Sequence, residues 1–189
     1  MTTRTRTRAL AAGFAVGGLL IVTACDNSQS LPVTRPTTSS STTTSPTSIP
    51  TQTLSPAEKD LKSANDAVSK LWSVTAELAS DPYLSLGKLA EVASDQAIYQ
   101  WRSILTGNRV KQLKQIGRAT IVSSEAKATS ANTFDVTACI DVSKVNVVDK
   151  NGKSVVAAGR LPRVQYTYKV AKIPSGFFVT KDTLQGKPC

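Results

Sequence analysis

The stretch Arg118-Ala119-Thr120-Ile121-Val122-Ser123-Ser124-Glu125-Ala126-Lys127-Ala128-Thr129, followed after a short gap by Thr133-Phe134-Asp135-Val136-Thr137-Ala138-Cys139-Ile140-Asp141, decides the fold class. β-branched residues dominate from Ile116 onward and the apolar period shortens towards two, which is the signature of strands. We read strands over 118–129 and 133–141. Two further short ones, Val145–Val148 and Ser154–Val156, flank Asp149-Lys150-Asn151-Gly152, whose composition is that of a hairpin turn. The last two strands, Arg163–Lys172 and Phe177–Leu184, are joined by Pro174-Ser175-Gly176.

Upstream the texture is helical. Ser55-Pro56-Ala57-Glu58 is a capping box with proline at the first helical position. Leu61, Ala64, Val68, Leu71, Trp72, Thr75, Leu78 and Ala79 then fall on one helical face, and Asp81-Pro82 ends the helix. Leu86–Ala93 reads as a short second helix. Ser94-Asp95 caps a third, with Ala97, Ile98, Trp101, Ile104 and Leu105 on its apolar side and Gly107-Asn108 as its stop. Residues 111–115 read equally well as a further helical turn or as an entry into sheet. Helices followed by an antiparallel meander predict an α+β domain over residues 56–189, its helices gathered on one face of a curved sheet. That length suffices for one core, and no internal repeat is present.

The first 55 residues have a different character. Arg4, Arg6 and Arg8 precede an uncharged apolar run from Ala9 to Val22, then Thr23-Ala24-Cys25. A positive end, an apolar core of about 7–15 residues and small residues at the cut make a secretory leader, here 1–24. The run is shorter than the ~20 residues that span a bilayer. No Arg-Arg pair is present, which favours the general secretory route. Val22-Thr23-Ala24-Cys25 resembles the lipobox of bacterial lipoproteins. The resemblance implies that Cys25 receives a diacylglyceryl group and palmitate-type acyl chains and becomes the first residue. Two or more such chains anchor a protein stably. The expected address is the outer face of the cytoplasmic membrane, with that membrane as a partner through the lipid anchor. Residues 26–55 hold 21 Ser, Thr or Pro among 30. Such a segment buries too little surface to offset its ordering entropy, so we read 25–55 as a lipidated cysteine and a disordered tether spanning about 30 Å.

Composition excludes several functions. The chain has 23 Lys+Arg and 13 Asp+Glu, and loss of the leader's three Arg lowers the formal charge from +10 to +7. Exported, sparsely aromatic and without a dense Lys/Arg block, the chain offers nothing for nucleic acid. Histidine is absent, which rules out Ser-His-Asp and Cys-His nucleophile systems and His-ligated zinc. No phosphate loop, nucleophile elbow or metal-ligand cluster is present, so no cofactor is expected. Asp149-Lys150-Asn151-Gly152 lacks the ligand spacing and the bidentate Glu of a calcium loop. With Cys25 acylated, two cysteines remain, and an oxidising compartment pairs Cys139 with Cys189.

The whole layout resembles the small secreted lipoproteins of actinobacteria and their phages that carry a nuclear-transport-factor-2-like domain. The matching segments are Thr137-Ala138-Cys139-Ile140-Asp141, Val147-Val148-Asp149-Lys150-Asn151-Gly152-Lys153, Gly176-Phe177-Phe178-Val179-Thr180 and the closing Gly186-Lys187-Pro188-Cys189. The family pattern has Trp where Phe177 stands. The resemblance implies a cone whose open end can hold a ligand between the helices and the sheet. The wider superfamily includes ketosteroid isomerase and limonene epoxide hydrolase beside many members without activity, so fold does not settle function.

Four readings follow. The leading one is a membrane-anchored, non-enzymatic lipoprotein that presents an interaction or ligand-binding domain to a protein or an apolar small molecule. Oligomeric state is left open. The second is a carrier or sensor of a lipid or other apolar molecule, its pocket lined by Trp101, Ile104, Tyr166 and Tyr168. The third, from the resemblance to phage-borne lipoproteins, is a surface protein that excludes a second phage. The fourth is an isomerase or hydrolase with an Asp/Tyr pair drawn from Asp141, Tyr99, Tyr166 and Tyr168, or two acids, Asp135 and Asp141, bridged by Arg163. Arg160 and Arg163, flanking Leu161-Pro162, are candidate contacts for an anionic group. No catalytic residue is assigned under the leading reading.

Overall fold

The structure is a computed structural model that describes residues 54–189. The leader, Cys25 and all but the last residues of the tether lie outside the described part. The first helix, α1, is Pro56–Ser80. Ser55 caps it: Glu58 N donates to Ser55 Oγ at 3.3 Å, and Ser55 N donates to Glu58 Oε2 at 2.7 Å. It ends where Pro82 forces Asp81 into extended backbone (φ −129°, ψ 105°). A 3₁₀ helix, Leu86–Glu91, takes the place of the predicted second helix. The next helix, α2, is Asp95–Val110. It does not stop at Gly107-Asn108. Gln112 instead adopts a left-handed φ of 54°, which lets Leu113 N reach the Asn108 carbonyl at 2.8 Å. The ambiguous segment therefore divides into a helix cap at Lys111 and a strand entry at Lys114.

Six strands follow: β1 Lys114–Ile116, β2 Thr120–Ala128, β3 Thr133–Asp141, β4 Asn146–Val148, β5 Arg163–Ile173 and β6 Gly176–Leu184. The four long ones form an antiparallel sheet in the order β2-β3-β5-β6, and β1 pairs with β4 in a two-stranded sheet. The predicted hairpin of Val145–Val148 with Ser154–Val156 forms in part. In the Asp149–Gly152 turn Gly152 N donates to the Asp149 carbonyl at 3.0 Å, and the arms are joined by Asp149 N to the Lys153 carbonyl and Val155 N to the Val147 carbonyl, both at 2.9 Å, with one bridge, Val148 to Ser154. β1 lies along the other edge of β4.

The helices lie on one face of the long sheet. Along β3, Phe134, Val136, Ala138 and Ile140 are buried by period-two alternation. They meet Ala64, Ala67, Val68 and Leu71 of α1, together with Tyr168 and Val170 of β5 and Val179 of β6. Alanines at positions 64 and 67 let the helix approach the strands closely, while the larger side chains fill the space beside them. A second cluster, Leu78, Leu89 and Leu105, joins the end of α1, the 3₁₀ helix and α2. The opposite face of β3 carries Cys139, bonded to Cys189 with Cα atoms 5.7 Å apart across 50 residues of chain. Beyond β6 the tail stays beside β5, with Gln165 N donating to the Lys187 carbonyl at 3.0 Å.

Candidate functional site

The inner end of the helix–sheet interface is filled by four aromatic rings. Trp72 of α1 meets Trp101 of α2 edge-on at 5.8 Å between centroids, and Tyr166 of β5 at 5.4 Å. Tyr166 stacks against Tyr168 at 6.0 Å. Trp72 Nε1 donates to the Tyr168 hydroxyl at 2.8 Å. Burial of this kind is favourable when the polar edges of the rings find partners, and both indole N–H groups do, Trp72 on Tyr168 of β5 and Trp101 on an acid of β6.

Within this cluster sits Asp182 of β6, only 2 % exposed. Trp101 Nε1 donates to its Oδ2 at 2.8 Å, while Oδ1 is buried without a partner. Gln96 of α2 clasps the same residue's backbone: Asp182 N donates to Gln96 Oε1 at 2.8 Å, and Gln96 Nε2 donates to the Asp182 carbonyl at 3.2 Å. Burial pushes the Asp182 carboxyl up to about 6, against the opposing effect of the Trp101 hydrogen bond. Burial and then the nearby Asp182 charge push Tyr166 up to about 12, and the same causes raise Tyr168 further. Tyr168 lies directly across the strand pair from Asp182.

The acid facing these tyrosines is therefore Asp182, which the sequence reading missed. Counting alternately from the buried Val179 would turn residue 182 towards solvent. A bulge places Val179 opposite Val170 but Lys181 opposite Lys169, so Thr180 is an extra residue and the alternation flips. Asp182 stands among Thr180, Lys181 and Thr183, a polar stretch that gives no local sign of burial, and only the bulge turns it inward.

The predicted residues disperse otherwise. Asp141, at the end of β3, accepts from Ser143 N at 2.9 Å, from Ser143 Oγ at 2.6 Å and from Arg163 Nε at 3.0 Å. The Ser143 hydrogen bonds, then Arg163, hold its carboxyl down at about 2. It belongs to a surface turn and faces away from the aromatic cluster. Asp135 pairs with Lys169 at 2.7 Å on the same outer face. Six residues of strand, about 20 Å, separate the two acids, so no arginine bridges them. Arg160 is committed as well: its Nη2 donates to the Val142 and Val145 carbonyls at 2.8 and 2.6 Å. Tyr99 is exposed, and so is Ile104 at 43 %, which corrects its placement as a pocket residue. The inward face of α2 runs through Ala97, Ile98, Trp101 and Leu105, and residue 104 falls off its edge. Among the described residues, no group of three acidic or cysteine side chains is placed to hold a metal, and no helix is long and apolar enough to cross a membrane.

No protein-family model and no curated protein matches the chain. Solved structures do. A proposed aromatic ring hydroxylase from Novosphingobium aromaticivorans superposes with a TM-score of 0.50 at 11 % identity, over 67 % of this chain and 87 % of that one. The intermembrane-space region of the chloroplast protein ARC6 gives 0.49 at 18 % identity, over 66 % and 95 %. Aln2 from a Streptomyces species gives 0.42 at 12 %, over 70 % and 93 %. At the hydroxylase's identity the likeness concerns the fold alone: helices packed on an antiparallel sheet.

Proposed function

We propose that this chain is a membrane-anchored, extracytoplasmic lipoprotein whose folded domain serves interaction or ligand binding and not catalysis. The observation that carries the anchor is Val22-Thr23-Ala24-Cys25 behind a basic, then apolar, leader. The Cys139–Cys189 bridge is in keeping with an oxidising compartment. For the domain, support comes from the state of its acid. Asp182 has the raised carboxyl that acid–base chemistry would use, yet it is sealed beneath Trp101, and its backbone is clasped by Gln96. A general acid must come within about 3 Å of its substrate, and here side chains occupy that space. The same filling disfavours the carrier reading in its simplest form. Partners are then met on the outer surface, whether the chain acts in an envelope or in phage exclusion.

Membrane fractionation with a clickable palmitate analogue tests the anchor. The wild-type chain is expected to label and to sediment with membranes, and Cys25→Ser to do neither. An unlabelled wild-type chain, or a Cys25→Ser chain that still labels, would refute acylation at Cys25. Native mass spectrometry in mild detergent tests the carrier reading. A defined extra mass, released on denaturation, would reinstate it.

A further inference from the structure

Between the C-terminal ends of the two helices and the small sheet lies a groove of about 540 Å³, within the range of small-molecule sites. Its apolar surface comes from Pro82, Leu113 and Val148. Tyr83 forms part of its wall while 95 % exposed, so a ring face stands open to solvent. Three cations converge on it from three elements: Arg109 at the end of α2, Lys114 at the start of β1 and Lys150 in the turn after β4. The one acid in the wall, Asp149, has its Oδ1 engaged by Asn151 N at 2.8 Å and Lys153 N at 2.9 Å.

Arg109 is the telling residue. One of its Nη2 hydrogens goes to the Leu84 carbonyl at 2.7 Å, which fixes the guanidinium in place. A guanidinium matches the paired oxygens of a phosphate or carboxylate. Arg160 and Arg163, the arginines singled out in the sequence, are by contrast occupied within the chain.

We propose that this groove binds a small organic oxyanion, a phosphate or carboxylate carried on a ring-bearing body. Arg109, Lys114 and Lys150 take the charged group, and Tyr83 with Leu113 and Val148 takes the body. The groove lies at the C-terminal end of α1, about 37 Å along that helix from Ser55. The proposal commits to a free ligand because the cations share the groove with Tyr83, Leu113 and Val148, which a bare headgroup would leave uncovered.

Calorimetric titration of the detergent-solubilised full chain with 4-nitrophenyl phosphate tests the proposal, with inorganic phosphate as the control. The aryl phosphate is expected to bind at least about tenfold more tightly than inorganic phosphate. Lys114→Gln/Lys150→Gln, which alters two exposed side chains, should weaken it by about tenfold or more. Tyr83→Ala should weaken the aryl phosphate and leave inorganic phosphate unchanged. No binding of the aryl phosphate at millimolar concentration would overturn the proposal, as would equal affinities for the two probes or an unchanged affinity in the lysine variant. Sedimentation with phosphatidylglycerol vesicles is the remaining arm. Vesicle binding that depends on the two lysines, without competition by the aryl phosphate, would overturn it in favour of a lipid surface. The titration does not depend on acylation, so its failure and the failure of the anchor are separable.

Discussion

Asp182 makes the domain's stability depend on pH in a direction opposite to that of most carboxylates. Its native carboxyl lies at about 6 because burial disfavours the charge; in the unfolded chain it returns to an ordinary value near 4. Between those values the native state holds a proton that the unfolded state has released. Stability therefore falls as pH rises through that window and gains as pH is lowered. Two pH units at about 1.4 kcal/mol each give ~3 kcal/mol. Trp101 donates to this carboxylate and Trp72 lies against Trp101, so tryptophan fluorescence reports the region directly. Urea unfolding followed by fluorescence at half-unit steps from pH 7.5 to 4 should show the wild-type midpoint rising towards pH 4. Asp182→Asn, uncharged throughout, should be flat over the same range and more stable than wild type at pH 7.5. Asp141, held down at about 2 by Ser143 and Arg163, has the opposite sign. Its contribution is lost only below about pH 4, so the two windows do not overlap. A wild-type midpoint that is level or falls from pH 7.5 to 4.5, or an Asp182→Asn variant with the wild-type slope, would refute the reasoning.

Four other outcomes are expected. Trp101→Phe removes the one hydrogen bond to the Asp182 carboxylate, so the pH window of the wild type should move upward, read from the same urea series. Cys139→Ser/Cys189→Ser frees a loop of 50 residues and should cost about 4 kcal/mol, measured by denaturation against the oxidised parent; a loss below 1 kcal/mol would mean the tail adds little constraint. Gly117→Ala should be strongly destabilising, because Gly117 has φ +76° and an added Cβ would sit on the Lys144 carbonyl; thermal unfolding checks it, and an unchanged midpoint would contradict the β1–β2 geometry. Leu71→Ala, at a fully buried position of α1, should cost about 2–5 kcal/mol, and an exposed-site value below 1 kcal/mol would place α1 off the sheet.

Much of the architecture was legible along the chain, and particular residues show why. Ser55 and Glu58 set the start of α1 through bonds only three residues long, and Pro82 sets its end through a steric clash with its neighbour. Phe134, Val136, Ala138 and Ile140 announce β3 by alternation alone, over the bounds the structure gives. These are local effects, and local sequence carries them. The end of α2 was misread because a left-handed Gln112 did what glycine usually does. The β4 hairpin was legible in its turn and in the Val148–Ser154 bridge, but the ladder with β1 on the other edge of β4 joins segments about 30 residues apart and left no local signal.

The order of helices and strands, the absence of histidine and the pairing of Cys139 with Cys189 could be read along the chain. Long-range packing settles which acid is buried and which cations line one groove. Asp182 turns inward because of one extra residue in the pairing of β6 with β5, and a bulge is a property of two strands, not of one. Arg109, Lys114 and Lys150 come from a helix end, a strand start and a turn, and no spacing in the chain relates them. They meet only because β1 pairs with β4 beside the ends of the helices. Burial and charge convergence are set by long-range packing, and it is there that the chemistry of this domain is found.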